Sequence, residues 1–373
     1  MKLLFVLPKS IESLGGIETT VRNIVKKLEI KGYKIDILCT EWKQKGVKID
    51  NYSQNIRLIK VNRIIFKNKI YLSPQIIKYF NNIKYEYDQI HIHSLHSLTS
   101  LCLLYSIKEK TVFTPHFHPS SGSGTVVMKL LLNLYLKIFG KKVLRNVSKL
   151  IAVSNYEKDL IVKLFEFNKD NIVVIPHGIS ERIKTTNQFT TPPKNVLYIG
   201  RFIKQKGVMH ILNVFVELKK QFEDLNLTLI GGGPLINKIK KFIKRNNITD
   251  SVNIFENVQS NFIYESYKKS DLFLMLSKYE AFGIAIAEAI ASGVPTIVKR
   301  SGGIATYLIN GTNGFFIDNE KDIRHIVEVA TKILSNNELR NKLRNNGIKL
   351  KNKLSWEKSA IKTVSLITSN YLE

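Results

Sequence analysis

Two carboxylates, Glu280 and Glu288, stand eight residues apart in Lys278-Tyr279-Glu280-Ala281-Phe282-Gly283-Ile284-Ala285-Ile286-Ala287-Glu288, which continues to Gly293 and Pro295. An apolar strand over 272–276 precedes them, so Glu280 falls in the loop after a strand and Gly283 turns the chain into a helix. N–H groups at a helix start lack carbonyl partners one turn back and carry the positive end of the helix dipole, which suits a diphosphate. Glu288 falls about one and a half turns into that helix, within reach of a ribose. Carboxylates flanking a phosphate site can accept hydrogen bonds from sugar hydroxyls.

Other segments carry similar chemistry. Leu197-Tyr198-Ile199-Gly200-Arg201 runs on to Lys206-Gly207, a strand, a glycine turn and two cations before a helix. Gly231-Gly232-Gly233-Pro234 follows a strand and precedes a helix, where glycines let backbone approach a ligand closely. Ser13-Leu14-Gly15-Gly16-Ile17-Glu18 is a second glycine loop ahead of a helix. Five of the eight histidines, His91, His93, His96, His116 and His118, gather near two strand ends. An H-x-H pair such as His91 and His93 can bind zinc.

The elements that must position these residues alternate strand, loop and helix. β-rich runs fall at 3–7, 34–39, 56–61, 89–93, 111–114, 150–153 and 172–175, with helical patterns at 19–31 and 157–165. The polar stretch 181–194, ending in Thr190-Thr191-Pro192-Pro193, reads as a linker. Strands at 195–199, 226–230, 251–254, 272–276, 295–298 and 314–317 follow, with helices at 207–221, 235–245 and 284–292 and a long helical tail. This alternation predicts an α/β fold of two Rossmann-like, doubly wound domains facing across a cleft, with ligands at the carboxyl ends of the strands. The boundaries are 1–180, a linker at 181–194, and 195–357, with a helix at about 358–373 packing back on the first domain.

Composition narrows the class. With 57 Lys and Arg against 30 Asp and Glu, the 373-residue chain carries +27; residues 1–150 hold 25 basic and 9 acidic residues, so the excess lies toward that half. Such a field favours nucleotide phosphates, lipid phosphates, acidic membrane or nucleic acid. No Asp or Glu occurs between Glu109 and Glu157, and 126–142 mixes basic, apolar and aromatic residues at helical spacing. An interfacial helix on anionic lipid and a helix packed on the sheet are both open readings there. Cys39 and Cys102 lie in apolar stretches, which suggests two buried thiols in a reduced compartment. No secretory signal or spanning segment is legible, so a cytoplasmic protein, peripheral on the inner face of the membrane, is expected.

In combination, Glu280-x7-Glu288 with Phe282-Gly283, Arg201 and Lys206 before Gly207, and the two glycine loops resemble the retaining glycosyltransferases of family 4 (glycosyl transferases group 1), which have the GT-B fold. The resemblance implies transfer of a hexose from a nucleoside-diphosphate sugar, with retention of anomeric configuration, in polysaccharide or glycoconjugate synthesis. It implies Arg201 and Lys206 on the diphosphate, Glu280 on the sugar hydroxyls, Glu288 on the ribose, and His116 near the transferred hydroxymethyl group, with His118 as second choice. Gly15, Gly16, Gly200, Gly231, Gly232, Ala281, Phe282, Gly283 and Ile284 would line the donor site, and Val258 the base. Asn257 stands where the family often has glycine, and His177 where Asn is commoner.

No metal and no cofactor beyond the donor substrate are implied. The expected partners are the donor and a glycan or lipid-linked acceptor, with peripheral contact to anionic membrane. A sugar-nucleotide epimerase of the same fold, and a basic nucleic-acid- or membrane-binding protein without activity, are the alternatives. The nucleic-acid reading is disfavoured because no zinc finger, RNP-like strand or helix-turn-helix is legible.

Overall fold

The computed structural model describes residues 1–13, 15–65, 71–107, 111–117, 140–189 and 191–369. The chain divides into two units, Met1–Gly178 with Trp356–Glu373, and Ile179–Ser355. His118 and residues 126–139 of the basic segment lie outside the described residues.

In the first unit the described strands are β1 (Lys2–Leu7), β2 (Lys34–Trp42), β3 (Lys48–Asn51), β4 (Ile56–Ile65), β5 (Tyr71–Leu72), β6 (Gln89–His93), β7 (Thr111–Thr114), β8 (Lys149–Ala152) and β9 (Ile172–Val174). They form one sheet in the order β3-β4-β2-β1-β6-β7-β8-β9, with β5 on β4. The long strands are parallel, while β3 and β5 pair antiparallel with β4. Leu3 to Leu7 and all of β6 are buried, as befits strands covered on both faces. The order reverses between β1 and β6, and helix Gly16–Ile30 leaves the carboxyl end of β1 there. That helix packs on Trp356–Ser369, where Trp356 and Ala360 are buried.

In the second unit β10 (Asn195–Ile199), β11 (Asn226–Ile230), β12 (Val252–Phe255), β13 (Leu272–Met275), β14 (Thr296–Lys299) and β15 (Phe315–Ile317) are all parallel, ordered β12-β11-β10-β13-β14-β15. Numbered within the unit this is 3-2-1-4-5-6, the doubly wound order, with its switch point between β10 and β13. Ligands of such sheets bind in the crevice outside the strand ends at that point. Expected strand positions and observed ones agree closely in both units.

Three features differ from the sequence reading. The stretch 181–194 is anchored within the second unit: Thr186 N donates to Ser292 O at 2.8 Å, and Phe189 N to Asn341 Oδ1 at 2.9 Å. Its polar composition hides buried side chains, Ile183, Thr186 and Phe189 among them. The helical tail is broken into Ile323–Leu334, Asn337–Gly347, Leu350–Lys353 and Trp356–Ser369, with Asp322 and Asn336 capping the first two. Cys39 is buried as expected, but Cys102 is exposed, because helix Leu98–Tyr105 turns Leu101, Leu103 and Leu104 inward instead.

Candidate functional site

The loops leaving β10, β11 and β13 are laced together by backbone. Gly200 N donates to Ile230 O at 2.9 Å, and Phe202 N to Gly232 O at 2.8 Å. Gly231 has φ +143, and a Cβ there would lie 2.0 Å from Gly200 O, so only glycine fits. Gly207, which opens helix Val208–Lys219, leaves no room either: a Cβ would meet Leu276 O at 2.3 Å. Gly200, Arg201, Lys206, Gly231, Gly232 and Glu280 thus gather around one backbone frame at the switch point.

Within that frame Lys206 Nζ pairs with Glu280 Oε1 at 2.6 Å, and both side chains are largely shielded, at 20% and 11% exposure. Arg201 is exposed and its guanidinium makes no ion pair with the described residues. Its backbone is fixed, since Tyr198 OH donates to Arg201 O at 2.9 Å. The cluster therefore offers one cation already balanced by a carboxylate and one left for an anion.

Glu280 is held by its main chain as well. Gly303 N donates to Glu280 O at 2.8 Å, and a Cβ on Gly302 would sit 1.9 Å from that oxygen. Beyond it, Gly283 takes φ +82 and starts helix Ile284–Ala291. Tyr307 OH donates to Phe282 O at 2.7 Å and to Gly283 O at 3.0 Å, bracing the turn. Ala281, Phe282 and Ile284 line the same turn, with Phe282 buried against the Tyr307 ring. Half-buried Glu288 accepts from Tyr267 OH at 3.3 Å, and desolvation pushes its pKa up to about 7.

Val258 is half-buried in the loop after β12. The preceding Asn257 has φ +54, the left-handed region that glycine favours and Asn tolerates. Asn in place of glycine therefore leaves that turn intact.

In the first unit Gly15 and Gly16 lie where β1 passes into helix Gly16–Ile30. A Cβ on Gly15 would strike Glu18 Oε2 at 2.0 Å, whereas one on exposed Gly16 would meet nothing within 4 Å. His116 follows β7 with φ +47, strained for a side chain of its size. Its Nε2 lies 3.1 Å from His93 Nδ1, the two rings meeting edge to edge with centroids 5.4 Å apart, and the near-parallel His177 ring has its centroid 5.6 Å away. Burial holds His93 and His116 well below the usual histidine pKa and His91 and His177 at about 3, so the cluster is neutral. His91 bonds Thr114 Oγ1 at 2.8 Å. Among the described residues no three or more His, Cys, Asp or Glu side chains come together as a metal site.

Several supporting residues escaped the sequence reading. Tyr267 and Tyr307 reach the site from helix Ser260–Lys268 and from the loop after β14, with no local pattern to mark them. Glu157 carried a legible signal: Ser154-x-x-Glu157 is a capping box, and Ser154 Oγ accepts from Glu157 N. The buried carboxylate accepts from Val153 N at 2.7 Å and Phe117 N at 2.5 Å.

The fold matches solved glycosyltransferase structures over the whole chain. Sucrose-phosphate synthase from Thermosynechococcus elongatus aligns with a TM-score of 0.82 at 19% identity, covering 100% of this chain and 99% of that one. Anabaena HepE, solved with UDP and glucose, aligns at 0.77 and 14% identity, covering 99% and 100%. The protein has the GT-B fold and is a glycosyltransferase. The model for Glycosyltransferase Family 4 matches residues 14–182 and that for Glycosyl transferases group 1 matches 180–350, and the chain belongs to this family-4 type. An uncharacterized glycosyltransferase of Methanocaldococcus jannaschii is 28% identical over 361 residues, 92% of each chain. The epimerase and nucleic-acid alternatives find no support in these matches. No helix among the described residues is long and apolar enough to cross a membrane.

Proposed function

We propose that the protein transfers a hexose, with retention of configuration and without a metal ion, from a nucleoside-diphosphate sugar to a hydroxyl of a glycan or lipid-linked acceptor. The observation that carries this reading is the cluster at the β10/β13 switch point: the Lys206–Glu280 pair, Arg201 with no ion pair among the described residues, and the helix that begins at Gly283. Arg201 and Lys206 hold the diphosphate and stabilise the charge that grows on it as the glycosidic C–O bond breaks. Glu280 orients the sugar hydroxyls and Glu288 the ribose, while Val258 sits under the base. The resemblance to family 4 assigns His116 to the sugar and the Gly15-Gly16 loop to the diphosphate. HepE, which binds UDP and glucose, supports a nucleotide-sugar donor here.

In this scheme the acceptor oxygen bonds to the anomeric carbon on the face the diphosphate leaves, and the acceptor proton passes to a diphosphate oxygen. The products are the glycoside and a nucleoside diphosphate. The charge of +27 supports an anionic or membrane-held acceptor in polysaccharide or glycoconjugate synthesis, at the inner face of the membrane. A thermal-shift screen against UDP-, GDP- and ADP-sugars tests the donor site, with Arg201→Ala and Glu288→Ala alongside. One nucleotide should raise the melting temperature, and both variants should lose that rise. Silence from every nucleotide on folded protein would refute the reading.

A further inference from the structure

We infer that His93 is a positioning residue for His116: its Nδ1–H donates to His116 Nε2 and so fixes the proton of His116 on Nδ1, the nitrogen left for a ligand. The inference rests on the proposed function only in giving His116 a sugar to meet.

The geometry is that of a braced ring. His116 stands in a left-handed backbone, φ +47, just past the end of β7, where a non-glycine residue is held against its own preference. Its imidazole neighbours two others, with centroids 5.4 Å from His93 and 5.6 Å from His177. His93 is itself immobile. It is the last residue of β6, 1% exposed, with Ser100 Oγ donating to its carbonyl at 2.8 Å and Phe5 stacked at 6.1 Å.

The direction of the bond follows from what the other nitrogen of His93 can tolerate. His93 Nε2 is buried and has no hydrogen-bond partner among the described residues. A neutral imidazole has one N–H and one bare nitrogen. An orphaned buried N–H is rare, whereas an under-used acceptor is tolerated more readily. The bare nitrogen of His93 is therefore Nε2, its proton is on Nδ1, and Nδ1 donates across the 3.1 Å gap. His116 Nε2 accepts, which leaves its own proton on Nδ1. The low histidine pKa values in the cluster agree with neutral rings throughout.

The same assignment selects the variants. Asn places an amide N–H near the position of histidine Nδ1, whereas Phe keeps a flat ring and removes the donor. Long-range 1H–15N correlation spectra of histidine-labelled protein, free of ligand, read the tautomer directly. Wild type and His93→Asn should show His116 protonated on Nδ1 alone, and His93→Phe should show a mixture of both forms. On the donor found by the thermal-shift screen, followed as nucleoside diphosphate release, His93→Phe should lower kcat ten- to a hundred-fold, on the order expected for a misplaced group. KM for the donor should change little, and His93→Asn should recover most of the rate. His116 protonated on Nε2 in the wild type would overturn the inference. So would an unimpaired His93→Phe beside an impaired His116→Ala, which would leave the sugar-site reading standing. An unimpaired His116→Ala would instead remove His116 from that reading, and the spectra would still decide the tautomer.

Discussion

Acidification from pH 7.5 to 5.5 should draw stability out of the first unit through its buried histidines, and His177 gives the clearest measure. Burial depresses its pKa from 6.5 to about 3. Below pH 6.5 the unfolded chain takes up a proton that the folded one refuses. The stability is thus fully present above 6.5 and drains away as pH falls toward 3. Over the two units considered, one such histidine loses RT ln[(1 + 10)/(1 + 0.1)], about 1.4 kcal/mol. Glu157 works against it: raised from 4.5 to about 7 by desolvation, it takes its proton first in the folded state and returns about 1.8 kcal/mol over the same range. The difference between wild type and His177→Asn removes that background. The assay is urea unfolding followed by tryptophan fluorescence, since both tryptophans of the chain, Trp42 and Trp356, belong to the first unit. Wild type should lose about 1.4 kcal/mol more than His177→Asn between the two pH values. Equal losses would mean that His177 is protonated in the folded state near pH 6, and the argument from desolvation would be wrong.

Three further outcomes follow from particular contacts. Glu157→Gln removes the opposing group, so its loss between pH 7.5 and 5.5 should exceed that of wild type by about 1.8 kcal/mol in the same assay. Gly302→Ala forces φ +60 on a side chain, at about 1–2 kcal/mol for the backbone alone, and drives Cβ against Glu280 O; nucleotide-induced thermal stabilisation should vanish while the fold persists by circular dichroism. Arg340 is 1% exposed and holds Asp271 at 2.7 Å, so Arg340→Met should destabilise the second unit by about 3 kcal/mol. Urea unfolding by far-ultraviolet circular dichroism would measure it, and adding Asp271→Asn should recover part of the loss.

Much of the architecture was legible because parallel strands buried on both faces read as apolar runs. Glycine and proline punctuate those runs, as at Gly293 and Pro295 around helix Ile284–Ala291. The loops at the strand ends were legible for the same reason: Gly200, Gly231 and Gly283 mark turns that few other residues can make. The two short antiparallel strands β3 and β5 were not, since Lys48–Asn51 is polar and pairs only along one edge. Nor was the bracing of the site. Tyr267 lies 21 residues from Glu288 and His93 lies 23 from His116, and nothing local tells which ring will meet which carboxylate or imidazole. The stretch 181–194 misled because its composition is that of a linker while its anchors, Ser292, Asn341 and Arg340, are far along the chain.

The lacing of the glycine turns bears on how such an enzyme could acquire a new donor. Gly231 is pressed on Gly200, Gly207 on Leu276, and Gly302 on Glu280, so each loop is the mould of another. A change of main-chain path in one would need simultaneous accommodation in a second, a step that single substitutions rarely reach. Variation is thereby channelled into side chains carried on the frame, such as Val258, which this reading places at the base. The scaffold can be inherited intact while its selectivity is rewritten a residue at a time.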